Sequence, residues 1–203
     1  MERNFWIEDP RNIETGEILE PGPIRFMPFQ KKILRYAFTR VDGQFPYVTI
    51  VYSTIKKSGK TRIIAGVAAW FAATQGSYNE VYCLANDGKQ SSDRILAAIK
   101  KAVTLSPTLD WNVTKSKIQL PNGTFIEAIP CDASGQAGSN PGLTVWSEMW
   151  GYRHRHQERL WTEMTVPPTR WGQAMRVVES YAGYSNESHV LENLYHLGRH
   201  DGL

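Results

Sequence analysis

Cysteine is scarce in this sequence. There are two among 203 residues, Cys83 and Cys131. Each lies in an apolar stretch without metal-type spacing, which argues against a disulfide framework or a cysteine-based metal site and leaves buried, reduced thiols as the expectation. Long hydrophobic runs are missing too: none approaches the roughly 20 apolar residues that span a bilayer. Met1-Glu2-Arg3-Asn4-Phe5-Trp6 is charged and lacks the apolar stretch of a secretory signal, so a soluble, intracellular protein is expected. Nor does one sign of charge dominate. The balance of 23 Lys+Arg against 20 Asp+Glu, net +3, argues only mildly for a polyanionic partner. There are no repeats or low-complexity tracts, and the length suits one domain with a real core.

What is present alternates between strand and helix patterns. Residues 1–26, with turn signals at Asp9-Pro10 and Pro21-Gly22-Pro23, read as an irregular arm or lid packed on a main domain of residues 27–203. A helical pattern begins at Pro28, carries Phe29, Ile33, Leu34, Ala37 and Phe38 on one face, and ends near Asp42-Gly43. An apolar β-type run covers 47–52, a helical pattern 62–74, a second strand 80–85 and an amphipathic helix about 89–105. Residues 117–129 read as a hairpin turning at Asn122-Gly123. A small-residue loop at 133–142 leads to a short strand, 143–146; a helix over roughly 154–164, a strand at 175–181 and a helix over about 188–197 complete the chain. The fold class is α/β, a mostly parallel central sheet with helices on both faces.

The most informative segment is Ser53-Thr54-Ile55-Lys56-Lys57-Ser58-Gly59-Lys60-Thr61, between the first strand and its helix. Strand, tight loop with Gly-Lys-Thr, then helix is the context of a phosphate-binding loop. Successive backbone N–H groups and the helix N-terminus make an anion cradle. Lys60 can reach the β- and γ-phosphates of a nucleotide, and the Thr61 hydroxyl can ligate Mg²⁺. The first glycine of G-x-x-x-x-G-K-[ST] would fall at Thr54. The plainer alternative is a strand-to-helix turn with an exposed lysine. Such a loop needs a carboxylate at the end of a neighbouring strand. Glu148, just past Val145-Trp146, meets that need as an orienter or base for water; otherwise it is a glutamate interacting with a helix dipole.

Several segments in order resemble the ATPase domain of the large terminase subunit, the DNA-packaging motor of tailed bacteriophages. They are Pro28-Phe29-Gln30, Lys56 to Thr61, Gly138-Ser139-Asn140-Pro141, Trp146-Ser147-Glu148-Met149-Trp150-Gly151-Tyr152 and Ser180-Tyr181-Ala182-Gly183. Together they cover about residues 25–200. The resemblance implies a RecA-like P-loop NTPase of the additional-strand type that hydrolyses ATP with Mg²⁺ to translocate double-stranded DNA. It implies a homo-oligomeric ring in the host cytoplasm, with a portal and a small terminase subunit as partners. Lys57, Ser58, Gly59, Lys60 and Thr61 would hold the phosphates, and Glu148 would activate water. Gln30 matches the glutamine that reads the adenine edge. Lys56 stands where many terminases carry an arginine that contacts or senses the γ-phosphate. Ser180 lies in the motif that couples hydrolysis to movement.

Two departures stand out. Where the family usually has an aspartate that holds Mg²⁺ through water, this chain has Ser147, a neutral and weaker partner, with no compensation expected from Asp87 or Asp132. Nor is the acidic cluster of the terminase nuclease domain present: Glu187, Glu192 and Asp201 are scattered, so an isolated ATPase domain without nuclease activity is expected. Ring motors of this family are thought to use an arginine supplied in trans, and Arg153, Arg155 and Arg170 are candidates. The basic run Arg153-His154-Arg155-His156 with Arg159 is otherwise a solvated helix face. Trp111, Trp161 and Trp171 read as core or interface residues. Two other readings stay open: a nucleotide-binding assembly module with weak or no hydrolysis, favoured by Ser147, and a helicase-like translocase.

Overall fold

A computed structural model of the chain describes residues 1–12, 14–85, 91–130 and 138–200. Cys131, Asp87, Asp132 and part of the small-residue loop at 133–142 lie outside the described residues.

Apart from three short strands, at 6–7, 22–23 and 112–113, that the sequence did not predict, the elements follow the pattern read from the sequence, with shifts at their ends. They are β1 (Trp6–Ile7), β2 (Gly22–Pro23), α1 (Pro28–Phe38), β3 (Thr49–Ser53), α2 (Lys60–Thr74), β4 (Glu80–Ala85) and α3 (Ser91–Leu105). Then come β5 (Asn112–Val113), β6 (Lys117–Gln119), β7 (Phe125–Pro130), β8 (Leu143–Ser147), α4 (Arg155–Glu163), β9 (Met175–Ser180) and α5 (His189–His200). Helix α1 stops at Phe38, earlier than its apolar face implies. The next residues form a tight turn in which Val41 and Gln44 exchange backbone hydrogen bonds and Asp42 and Gly43 are left-handed.

The main sheet has the order β3-β9-β8-β4-β7-β6-β5. Strands β3, β9, β8, β4 and β7 run parallel. β6 and β5 add an antiparallel margin whose hairpin turns at Gly123, φ +79°, where a residue with a Cβ is disfavoured. One consequence was not legible in the sequence. β9 lies between β3 and β8, so Glu148 belongs to the next strand but one from the loop, not to its neighbour.

Side chains alternate across the strands and feed two separate cores. Val81, Cys83, Leu143, Val145, Met175 and Val177 join α2 and α3 on one face. Tyr82, Leu84, Trp146 and Val178 join Leu160 and Met164 from the α4 region and Val190 and Leu191 of α5 on the other. Helix α2 is buried almost all round, as its run of alanines and aliphatics requires. Cys83 is free and buried, and burial pushes its thiol up to about 12.

The arm is built into the first of these cores. Phe5, Ile24 and Phe26 are buried in it. Gly66 of α2 lies against the arm: a Cβ there would make ordinary contact with Met1 Sδ at 3.4 Å and Phe5 Cδ1 at 3.9 Å. Phe5→Ala is expected to lower stability by about 3–5 kcal/mol, with a single urea transition; an unchanged midpoint would mean that the arm is not part of the cooperative unit.

Candidate active site

The loop after β3 is shaped by two left-handed residues, Lys57 (φ +63°) and Gly59 (φ +80°). Gly59 caps α2, its carbonyl accepting from the N–H groups of Arg62 at 3.1 Å and Ile63 at 3.2 Å. A Cβ on Gly59 would meet nothing within 4 Å, so it is the left-handed dihedral angle, not crowding, that favours glycine here. Lys56 and Lys57 are exposed. The Ser58 hydroxyl oxygen is buried and without a hydrogen-bond partner, and Thr61 is half-buried in the first turn of α2.

Lys60 is not the exposed lysine of a simple turn. It is 5% exposed, donates to the Ile55 carbonyl at 3.1 Å and lies 3.7 Å from Glu179 Oε1. Glu179, at the end of β9, is a functional candidate that the sequence reading missed. It is 1% exposed, and its Oε2 accepts the Ser147 hydroxyl at 2.7 Å. Its Oε1 is buried without a hydrogen-bond partner. Ser147 and Glu179 are directly paired across β8 and β9. By alternation both lie on the face covered by α2. Burial pushes the Glu179 carboxyl above its ordinary value, opposed chiefly by the Ser147 hydrogen bond; the charge of Glu148 adds to the rise, while Lys60 and the Glu148 backbone N–H lower it. The signal available in the sequence was an acid inside an otherwise apolar strand run, which is seldom buried without a partner.

Glu148 sits immediately after β8 in a left-handed conformation, φ +55° and ψ +46°, rare for a residue with a side chain. Its half-buried carboxylate accepts the Trp150 indole N–H, and Glu148 directly follows Ser147, the cross-strand partner of Glu179. Ser180 ties the neighbouring segments together. Its carbonyl accepts from Thr54 N–H at 3.1 Å, its hydroxyl oxygen accepts from Trp150 N–H at 3.1 Å, and its hydroxyl donates to the Tyr181 carbonyl at 2.7 Å. Above it lies a cationic and aromatic stack. Lys56 Nζ is 4.6 Å from the Tyr181 ring centre, Tyr181 stacks on Trp150 at 4.8 Å, and Arg153 lies over Trp150 at 5.2 Å.

Lys56, Lys60, Ser147, Glu148 and Ser180 thus converge with Glu179 at the carboxyl ends of β3, β9 and β8. Gln30 is engaged within the chain: its side-chain oxygen accepts from Met27 N–H at 2.8 Å, closing the start of α1. Of the candidate arginines, Arg153 pairs with Glu187 at 2.7 Å and Arg155 is exposed at the start of α4. Arg170 bonds Asn140 and Asn79, at the amino ends of β8 and β4 and thus across the sheet from the loop. Arg159 pairs with Glu163, as on a solvated helix face. Trp161 packs on the buried Trp146, Trp111 packs against the core, and Trp171 is exposed. Among the described residues no cluster of three His, Cys, Asp or Glu could hold a metal, and no helix is long and apolar enough to cross a membrane.

Solved structures share this architecture. The large terminase of bacteriophage HK97 superposes over 98% of this chain with a TM-score of 0.72 at 19% identity. The fold is that of the phage large terminases. The large terminase of a thermophilic bacteriophage matches over 86% of the chain, TM-score 0.64 at 11% identity. The large terminase ATPase domain of Thermus phage P74-26 matches over 88%, TM-score 0.50 at 11% identity. The chain spans 41% of the HK97 protein and 44% of the thermophilic phage protein, and 78% of the P74-26 ATPase domain. No protein-family profile and no curated protein sequence matches the chain. Within this terminase fold, Ser180→Ala is expected to leave the Trp150 N–H without its acceptor, lowering stability by about 1–3 kcal/mol in chemical denaturation, with Ser180→Thr milder. Equal midpoints for Ser180→Ala and the parent would remove Ser180 from the network.

Proposed function

We propose that this chain is a nucleotide-driven motor domain that hydrolyses ATP to translocate double-stranded DNA, as the ATPase part of a packaging terminase. One observation carries the reading. A buried lysine at the start of a helix, behind a left-handed glycine loop, is paired with the buried Glu179 carboxylate on the next strand, which in turn accepts from the buried Ser147 on the strand beyond it. A solvent-facing structural turn has no use for a lysine buried at this cost.

In this reading the N–H groups of residues 57–61 and the N-terminus of α2 receive the phosphates. Lys60 exchanges the Ile55 carbonyl for a phosphate oxygen, and Lys56 lies at the mouth of the loop for the γ-phosphate. The hydroxyl and carboxylate oxygens of Thr61, Ser147 and Glu179 are hard donors that suit Mg²⁺ and its waters. When bound, the ion neutralises charge developing on the phosphate oxygens. Glu148 orients the attacking water and takes its proton, once its carboxylate is released from the Trp150 indole. Gln30, whose oxygen accepts from Met27 N–H, keeps an amide N–H₂ group that can meet an adenine acceptor. Ser180 transmits the state of the loop to the segment bearing Glu148.

DNA, a homo-oligomeric ring, a portal, a small subunit and a host-cytoplasmic setting belong to the same proposal, supported by the likeness of fold. An arginine supplied in trans is worth about 10³–10⁵ in rate, so the isolated domain is expected to hydrolyse slowly. A second reading, a nucleotide-binding assembly module without hydrolysis, is favoured by the Trp150 bond that holds the Glu148 carboxylate.

Lys60→Ala is expected to weaken ATP binding by at least about 30-fold in calorimetry; unchanged affinity would reject the phosphate loop. Glu148→Ala should keep ATP affinity and lose phosphate release. If the parent and this variant release phosphate at one common rate, Glu148 is not the water-activating group; ATP binding by the parent with no release above background favours the assembly reading.

A further inference from the structure

We propose that Glu179 supplies the carboxylate that Ser147 lacks, so that the cation accompanying a bound nucleotide is held from β9 rather than β8. This rests on the nucleotide reading above and assigns a residue that neither the motif order nor the spacing of the loop indicated.

Three observations carry it. Glu179 is 1% exposed, yet one of its oxygens has no hydrogen-bond partner. A buried carboxylate oxygen left in that condition is costly and calls for a cation or a donor. Second, the other oxygen is fixed by the Ser147 hydroxyl at 2.7 Å, and the two residues are cross-strand partners. The serine at the position of the missing acid therefore orients the acid that replaces it. Third, the cation facing the free oxygen is Lys60 at 3.7 Å, longer than a charge-assisted hydrogen bond. Once Lys60 turns to a phosphate, Glu179 and Glu148 are left facing the nucleotide with less positive charge between them. Thr61, Glu179 and Ser147 are the oxygen donors that would hold a divalent ion there, and its charge would restore that balance.

The rival explanation is structural: Glu179 serves only to hold Lys60 and the loop. The two differ in what Glu179→Gln does. The amide still accepts from Ser147 but cannot balance a divalent ion. ATP affinity is measured by calorimetry with EDTA and with excess Mg²⁺, for the parent, Glu179→Gln and the exchange variant Ser147→Asp/Glu179→Ser.

The parent is expected to bind ATP at least about tenfold more tightly with Mg²⁺. Glu179→Gln should keep or improve metal-free affinity while its gain from Mg²⁺ falls to about twofold or less, and the exchange variant should recover most of that gain. An undiminished Mg²⁺ gain in Glu179→Gln overturns the assignment and leaves the nucleotide site standing. Loss of metal-free affinity in Glu179→Gln overturns it in favour of the structural role. Failure of the parent to bind ATP under either condition overturns the nucleotide reading and this inference with it.

Discussion

The buried encounter between Lys60 and Glu179 is the constraint around which the site is organised. Lys60 is fixed by the loop and by the first turn of α2; Glu179 is fixed by the centre of the sheet. Both are almost wholly removed from water, and desolvating two such charges is repaid only by good geometry and further hydrogen bonds. Here the repayment is incomplete. Lys60 has one backbone carbonyl, and Glu179 Oε1 has the long ion pair to Lys60 but no hydrogen bond. Incomplete pairing at a strand end is what a site that awaits charge of both signs requires, since a fully satisfied pair would compete with any ligand.

The neighbouring groups make that charge balance felt further away. Ser180 holds the start of the loop through Thr54 and the segment after Glu148 through Trp150. Lys56, Tyr181, Trp150 and Arg153 continue the same link across the surface by cation–π contact and ring stacking. Trp150 belongs to both routes, and its indole also grips the Glu148 carboxylate. A displacement of Lys56 towards an incoming anion would therefore disturb Tyr181, then Trp150, then the acid itself. Glu148 adds a further tension, because its left-handed backbone is costly for a side-chain-bearing residue and is held by this surrounding network.

Much of this was legible in the residues. The β-type run, the glycine-lysine-threonine loop and the apolar helix fixed β3 and α2 to within a few residues; β4 and the hairpin turn fell where the patterns put them. Glu148 and Ser180 were singled out by motif order, and both lie at the sheet's carboxyl edge. What the residues could not convey was strand order. Insertion of β9 between β3 and β8 depends on long-range pairing, and it is this insertion that brings Glu179 beneath Lys60. Periodicity marked residues 175–181 as a strand without saying which neighbours its acid would meet. The short β1–β2 pair and β5 were equally invisible, because two-residue strands leave no periodic signal. The arm looked irregular for its prolines and glycines, while Phe5, Ile24 and Phe26 decide its place in the core.

Strand order also bears on why an acid on β9 can stand in for one on β8. Paired strands are about 4.8 Å apart, and the end of β9 lies one strand nearer the loop than that of β8. A carboxylate there starts closer to the Gly59 loop. Meanwhile the neutral Ser147 avoids placing a third acid beside Glu179, whose carboxyl is pushed up first by burial and further by the charge of Glu148. On these grounds the serine at 147 and the glutamate at 179 form one unit, with the hydroxyl directing the acid, and substitution of either alone disturbs a balance that their exchange would keep.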